Sequence, residues 1–155
     1  MKFKLNPLYA YVIGMWHAMP SKKGIGVCGD AAPYFAKLCL ESNISTKMLQ
    51  QGDCIFFYHS KLKKFFNLII KERKERFKYP NDFSASYFAG MFESSGYLSN
   101  GKIGLRGDEV DEFILHSFRF SPIRRGKHII VRNSLAFAKF IKDKVSFRRD
   151  LLEEI

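Results

Sequence analysis

One pattern of small residues recurs after 76 positions, and no other feature of the chain restricts its folding as strongly. Ala10, Gly14 and Ala18 fall four residues apart, and so do Ser86, Gly90 and Ser94. Four-residue spacing stacks side chains on one face of a helix, so each tract forms a stripe where a second backbone can approach closely. Two such tracts predict a pair of helices packed together at the centre of a duplicated unit. The 155 residues amount to one ordinary domain. The duplication therefore divides a single compact domain, residues 1–155, into repeats over 1–79 and 80–155.

The patterning around the stripes predicts an α+β chain. Pro7 suits the first turn of a helix that Pro20 and the following SKKG bring to an end. GIGVCG at residues 24–29 reads as a short strand, and Asp30 as the cap of a helix over AAPYFAKLCLES. Gln50, Gln51 and Gly52 read as a polar turn before a strand over residues 54–59. Ser60 then caps a helix over KLKKFFNLIIKERKERF, with Leu62, Phe65, Phe66, Ile69 and Ile70 on its apolar side. YPNDFS at residues 79–84 marks the internal boundary, and SASYFAGMFESSG forms the second stripe helix. Asn100-Gly101 is a hairpin turn, and residues 108–120 form a helix with acids in its first turn. SPIRRGKHIIVR reads as a basic turn followed by a strand over residues 127–132. Asn133 or Ser134 caps the terminal helix of Leu135, Phe137, Ala138, Phe140 and Ile141. Each half thus runs helix, strands, helix, strand, helix.

Composition narrows the function classes. A 46% hydrophobic content with sixteen Phe and seven Tyr supplies a core, and five Pro and eleven Gly exclude a collagenous or generally disordered chain. The net charge of +11 favours a polyanionic partner without choosing among DNA, RNA, acidic protein and anionic membrane. The apolar stretch within residues 1–20 is too short to span a bilayer and ends in no cleavage signal, so no membrane association is expected. Cys28, Cys39 and Cys54 form no CxxC pair, which predicts small or buried reduced thiols in a cytoplasmic protein. His17, His59, His116 and His128 show no ligand spacing, and His17 is expected to pack partly buried. Asp30, Asp53, Glu93 and Asp108 make a metal centre only if the fold gathers them. No phosphate-loop, dinucleotide or zinc-finger signature is present, so neither a metal nor another cofactor is expected.

The tract FAGMFESSG at residues 88–96, and in weaker form VIGMWHAMP at residues 12–20, resembles the nine-residue motif of the LAGLIDADG homing-endonuclease family. YFAKLCLESNIS, YHSKLKKFF and IIVRNSLAFAKFIKDKV extend the similarity to nearly the whole chain, which resembles the single-chain, two-motif type. This resemblance implies a pseudo-symmetric fold in which the two motif helices pack between antiparallel sheets that form a DNA-binding saddle. In catalytic members, the residue before each motif's final glycine is acidic and reaches a shared metal-dependent centre. The matching positions here are Met19 and Ser95, which offer a thioether and a neutral hydroxyl to a hard ion. Glu93 stands two positions away, and Pro20 replaces the first motif's final glycine. The resemblance with these departures implies a catalytically degenerate, monomeric nucleic-acid-binding protein whose partner is duplex DNA. One alternative is an endonuclease with a noncanonical site, which alone would call for Mg2+. The other is a structural or protein-interaction module, with RNA and acidic protein as the remaining partners.

Charge is uneven along the chain. Residues 1–80 hold fourteen Lys or Arg against five Asp or Glu, a balance of +9, whereas residues 81–155 hold twelve against ten, a balance of +2. Candidate nucleic-acid contacts are Lys61, Lys63 and Lys64 at the head of a basic run that continues to Lys78, and the patch of Arg124, Arg125 and Lys127. Lys22 and Lys23 before the first strand, and Arg106 in the second repeat, are better placed for a saddle face. Lys and Arg neutralise phosphates, and Arg adds paired directed contacts. The run from Lys61 to Lys78 also reads as a solvated helix surface moderated by Glu72 and Glu75.

Overall fold

The computed structural model describes residues 2–155. Helix α1 (Pro7–Ala18) starts with proline in its first turn, while the Asn6 side chain accepts a hydrogen bond from the Tyr9 N–H. Its partner α5 (Asp82–Ser95) opens with a capping box between Asn81 and Ser84. The two helices make the most extensive contact in the molecule, and the reason lies in two glycines. A Cβ on Gly14 would sit 2.0 Å from the Tyr87 carbonyl oxygen, and one on Gly90 would sit 2.0 Å from that of Tyr11. Only glycine permits this mutual approach. Ala10, Ala18, Ser86 and Ser94 flank the contact and are buried as the stripe requires, and the Ser94 hydroxyl donates to the Met15 carbonyl across it.

In the first half, β1 (Ile25–Cys28), α2 (Ala32–Glu41), β2 (Leu49–Gln51), β3 (Cys54–Phe57), α3 (Ser60–Lys71) and the short α4 (Arg73–Arg76) follow α1. The second half continues from α5 through β4 (Tyr97–Ser99), β5 (Lys102–Arg106), α6 (Glu109–Ser117), β6 (Pro122–Arg125), β7 (His128–Val131), α7 (Ser134–Ile141) and α8 (Arg149–Glu153). Both sheets are antiparallel, with strand orders β1-β3-β2 and β4-β5-β7-β6. By pairing, β1, β2 and β3 correspond to β5, β6 and β7. The counterpart of β4 is reduced to a single bridge between Pro20 and Val27, because proline lacks the N–H a ladder needs.

Several local expectations are corrected. Gln50 and Gln51 belong to β2, and the chain turns at Gly52, where φ is +61°. His59 rather than Ser60 caps α3, its ring nitrogen accepting from the Leu62 N–H, and the helix breaks at Glu72. Asp30 caps nothing: Ala31 stands at the α2 N-cap, and the Asp30 carboxylate pairs with Arg148. The basic tract after Ser121 is a β6–β7 hairpin turning at Gly126, and Pro122 is tolerated because β6 is an edge strand. Asn100 and Gly101 both have positive φ, as the expected tight hairpin turn demands. Among the described residues, no helix is long and apolar enough to cross a membrane.

Candidate nucleic-acid interface and the centre beneath the helices

Strand register sorts side chains onto the two faces of each sheet. In the first sheet Ile25, Val27, Ile55 and Phe57 share the face packed on α2, where Phe35 stacks on Phe57. Gly26, Cys28, Cys54, Phe56 and Gln51 share the opposite face. Gln51, Cys28, Cys54 and Phe56 line an open groove of about 350 Å3 together with Pro20, Ser21, Lys22 and Lys23. In the second sheet Ile103, Leu105, Ile129 and Val131 are fully buried against the helices. The open face there carries Tyr97, Lys102, Arg106, Ile123, Arg125 and His128. His128 lies opposite both Arg106 and Arg125, so a basic row crosses three strands, with Lys127 in the adjoining turn.

The candidate residues therefore separate into groups. Lys22, Lys23, Arg106, Arg125 and Lys127 border the open faces. Arg124 points to the helix side, where it pairs with Glu112 at 3.0 Å and donates to the Gly126 carbonyl. Lys61, Lys63 and Lys64 stand at the start of α3, beside the N-terminal end of α1, since His59 packs on Phe3 and Phe65 on Tyr9. The sheets meet the opposite end of α1, where Pro20 bridges Val27. Gln51, Tyr97, Lys102 and His128, which the sequence does not mark as nucleic-acid contacts, also lie on the open faces. Their signal is the period-two alternation of strands only three to five residues long.

The centre beneath the helices is built from the α1 and α5 C-termini. The Ser95 hydroxyl donates to the Met91 carbonyl at 2.7 Å and accepts from the Arg106 N–H at 3.0 Å, so it is spent on backbone. The Met19 side chain ends in a methyl group packed against Gly29, and its carbonyl accepts from the Cys28 N–H. A thioether and an occupied hydroxyl do not fit a hard divalent ion, which takes carboxylate and other oxygen ligands. A pocket of about 150 Å3 opens beside this centre, between His17, Ala18 and Pro20 on one side and Arg106, Gly107, Asp108 and Lys127 on the other.

Near the helix ends lie two polar clusters at corresponding points of the two halves, each built around a fully buried carboxylate. On one side Glu93, fully buried, accepts from the Tyr11 hydroxyl and from the backbone N–H groups of Ser146, Phe147 and Arg148 at 2.7, 3.1 and 2.8 Å. Arg148 pairs with Asp30. On the other side His17 Nε2 lies 3.0 Å from Asp111 and 3.5 Å from Asp108. Arg73 pairs with both carboxylates, and the Tyr87 hydroxyl donates to Asp111 at 2.6 Å. Burial opposes protonation of His17, but the two carboxylates outweigh it and raise its pKa to about 9. Burial also works against ionised Asp108, yet His17 and Arg73 hold its carboxyl well below the usual range. Burial, reinforced by Glu93, pushes the Tyr11 hydroxyl far up.

Asp30, Asp53, Glu93 and Asp108 do not converge. Asp30 and Glu93 are each tied to Arg148, by its guanidinium and its backbone N–H respectively, Asp108 is held by His17 and Arg73, and Asp53 lies on the β2–β3 turn. Among the described residues two groups bring three potential ligand atoms within 4.8 Å of one another. In the first, His17, Asp108 and Asp111, the carboxylates are already neutralised by Arg73 and protonated His17. The second, Cys28, Asp53 and Cys54, contains a correction. Cys28 and Cys54 stand opposite each other on β1 and β3 and form a disulfide, whereas three reduced thiols were expected. Cys39 alone is free, and burial pushes its thiol up to about 12.

No family model matches the chain, and no curated protein matches it in sequence. Solved structures do. Mesophilic variants of the homing endonuclease I-DmoI superpose with a TM-score of 0.61 at 13% identity, covering 87% of this chain and 94% of that one. An I-DmoI variant in complex with its target DNA in the presence of magnesium gives 0.62 at 11% identity, over 87% and 95% of the two chains. A second variant with target DNA and manganese gives 0.61 at 8%, over 96% and 98%. At such identities the likeness establishes the fold, which is the duplicated LAGLIDADG-like saddle that the motif resemblance implied.

Proposed function

We propose that this LAGLIDADG-like chain is a monomeric binder of duplex DNA that lays its two open sheet faces on the duplex and does not cleave by carboxylate-held metal ions. The observation that carries the reading is one combination. A basic row of Arg106, His128 and Arg125 crosses the open face of the second sheet, while Met19 and Ser95 occupy the helix ends between the sheets. Lys22, Lys23 and Gln51 border the matching groove of the first sheet. Lys and Arg there would neutralise phosphates, and Arg and Gln can read base edges. I-DmoI, which shares the fold, is recorded with its target DNA, and this supports duplex DNA as the partner to try first.

Equilibrium titration against labelled duplexes of varied sequence, repeated over salt and with matched RNA competitors, tests the binding half. Duplex-selective binding that persists at physiological salt is expected. Replacing Arg106, Arg125 and Lys127 together by Ala should flatten the salt dependence by roughly 0.9 per lost phosphate contact. Replacing Lys61 and Lys64, at the other end of the molecule, should leave the slope unchanged. Weak attraction lost by physiological salt, or RNA competing as well as DNA, refutes the reading. Incubating bound duplex with Mg2+ or Mn2+ tests the second half, and strand cleavage by the wild-type protein would sink it.

A further inference from the structure

We propose that Cys28, Cys54 and Asp53, once the disulfide is reduced, form a thiolate–carboxylate site for one divalent ion of the zinc class. Backbone pairing of β1 with β3, and not the disulfide alone, brings the donors together. Cys28 and Cys54 are directly opposed in the β1–β3 ladder and their side chains share the open face, with Cα atoms 3.9 Å apart. Asp53 precedes Cys54 on the β2–β3 turn and sets an oxygen 3.5 Å from the Cys54 sulfur. A tetrahedral ion with bonds of about 2.3 Å to sulfur and about 2.0 Å to oxygen separates those two donors by roughly 3.5 Å. The sulfurs need only turn apart, by side-chain rotation, to reach roughly 3.8 Å in the same geometry.

Two thiolates and a carboxylate suit a borderline-soft ion rather than magnesium. Water completes the fourth position, and Lys22 and Lys23 line the same groove, offsetting the anionic donors. The chemistry balances with an external dithiol as reductant. It transfers two electrons and two protons, becoming a cyclic disulfide while Cys28 and Cys54 each gain a hydrogen on sulfur. The incoming ion then displaces both protons to solvent as two metal–sulfur bonds form. The His17 group offers no such capacity, since its lone pairs and charge are already committed. This inference does not depend on nucleic-acid binding.

Cobalt(II) is the probe. Titration of the reduced, metal-free protein should show a thiolate-to-cobalt charge-transfer band saturating at one equivalent, and the oxidised protein should show none. Cys28→Ser and Cys54→Ser should each lose the band, Cys39→Ala should retain it, and Asp53→Asn should weaken binding by roughly tenfold. Circular dichroism and a thiol count confirm that the reduced protein is folded with all three thiols free. A folded, reduced protein without the band overturns the proposal, as does a band that survives Cys54→Ser or appears in the oxidised protein. Unchanged affinity in Asp53→Asn overturns the three-donor site.

Discussion

The two halves place equivalent residues at equivalent points and use them differently. Tyr11 and Tyr87, His17 and Glu93, and Arg73 and Arg148 stand 76, 76 and 75 positions apart. Each half sends an arginine from just beyond its last long helix to the start of the other half's sheet-packed helix: Arg73 to Asp108 and Arg148 to Asp30. At the centre the chemistry diverges. Helix α5 supplies its own carboxylate, Glu93, which backbone N–H groups satisfy. Helix α1 supplies the cation His17, and Asp111 of α6 brings the carboxylate to it. The two halves share where they brace each other, not the sign of the charge that does so. Position is dictated by backbone packing, whereas either sign serves if its partner is present, since only an unpaired buried charge is prohibitive.

The largest effect should come where the halves remain alike. Gly14→Ala and Gly90→Ala each drive a methyl into a carbonyl oxygen at 2.0 Å. Both should cost more than about 4 kcal/mol, at the severe end for overpacking, as read by urea unfolding. Unequal losses would mean that one half relaxes and the pseudo-symmetry is looser than the backbone suggests. The arginine clamps should instead differ. Arg73→Met takes one of two cations from fully buried Asp111, leaving it His17 and the Tyr87 hydroxyl, and should cost about 3 kcal/mol, the low end for a broken buried pair, whereas the Arg148 partner Asp30 is 65% exposed and Arg148→Met should cost about 1 kcal/mol or less through that pair. Equal values would overturn the contrast.

The disulfide distinguishes the first sheet, which lacks a counterpart of β4. It closes a separation of 26 residues, so reduction should lower stability by about 3 kcal/mol on the loop-entropy account. Thermal unfolding with and without reductant measures this, and Cys28→Ser should abolish the difference. A smaller effect, on the order of 2 kcal/mol, should follow pH. Because folding raises the His17 pKa, its contribution is complete below about pH 6.5 and is lost as pH rises through about 9. Asp108 behaves oppositely: its pKa is depressed, so its contribution holds above the usual carboxylate range and disappears as pH falls through and below it. Urea midpoints measured from about pH 6 to about pH 10 should decline in the wild type and stay flat in His17→Gln. A flat wild-type profile would place the imidazolium outside the brace.

Much of the fold was legible because its signals are local. The stripe spacing identifies the central helices, Asn100-Gly101 marks its hairpin, and the acids after Asp108 mark the start of α6. The errors arose where short elements depend on distant partners. Gln50 and Gln51 look like turn residues and become a strand only because β3 runs beside them. Asp30 has the chemistry of a cap, but Arg148 claims it from 118 positions away. The site was legible in part: the absence of acids at 19 and 95 is plain in the sequence, whereas the facing of Arg124 and Arg125 is not. Adjacent strand residues point to opposite faces, so register alone sends Arg125 outward and ties Arg124 to Glu112.

By itself, the sequence determined the paired helices and the glycines that let them touch, since helical periodicity and residue identity need no knowledge of the rest of the chain, and the motif resemblance added that carboxylates are missing at their ends. Tertiary structure alone decided the Cys28–Cys54 disulfide, the reciprocal arginine clamps, and which of the many basic residues border the open sheets. These depend on strand register and on contacts between segments far apart in the chain, where no local rule says which residue will arrive opposite which.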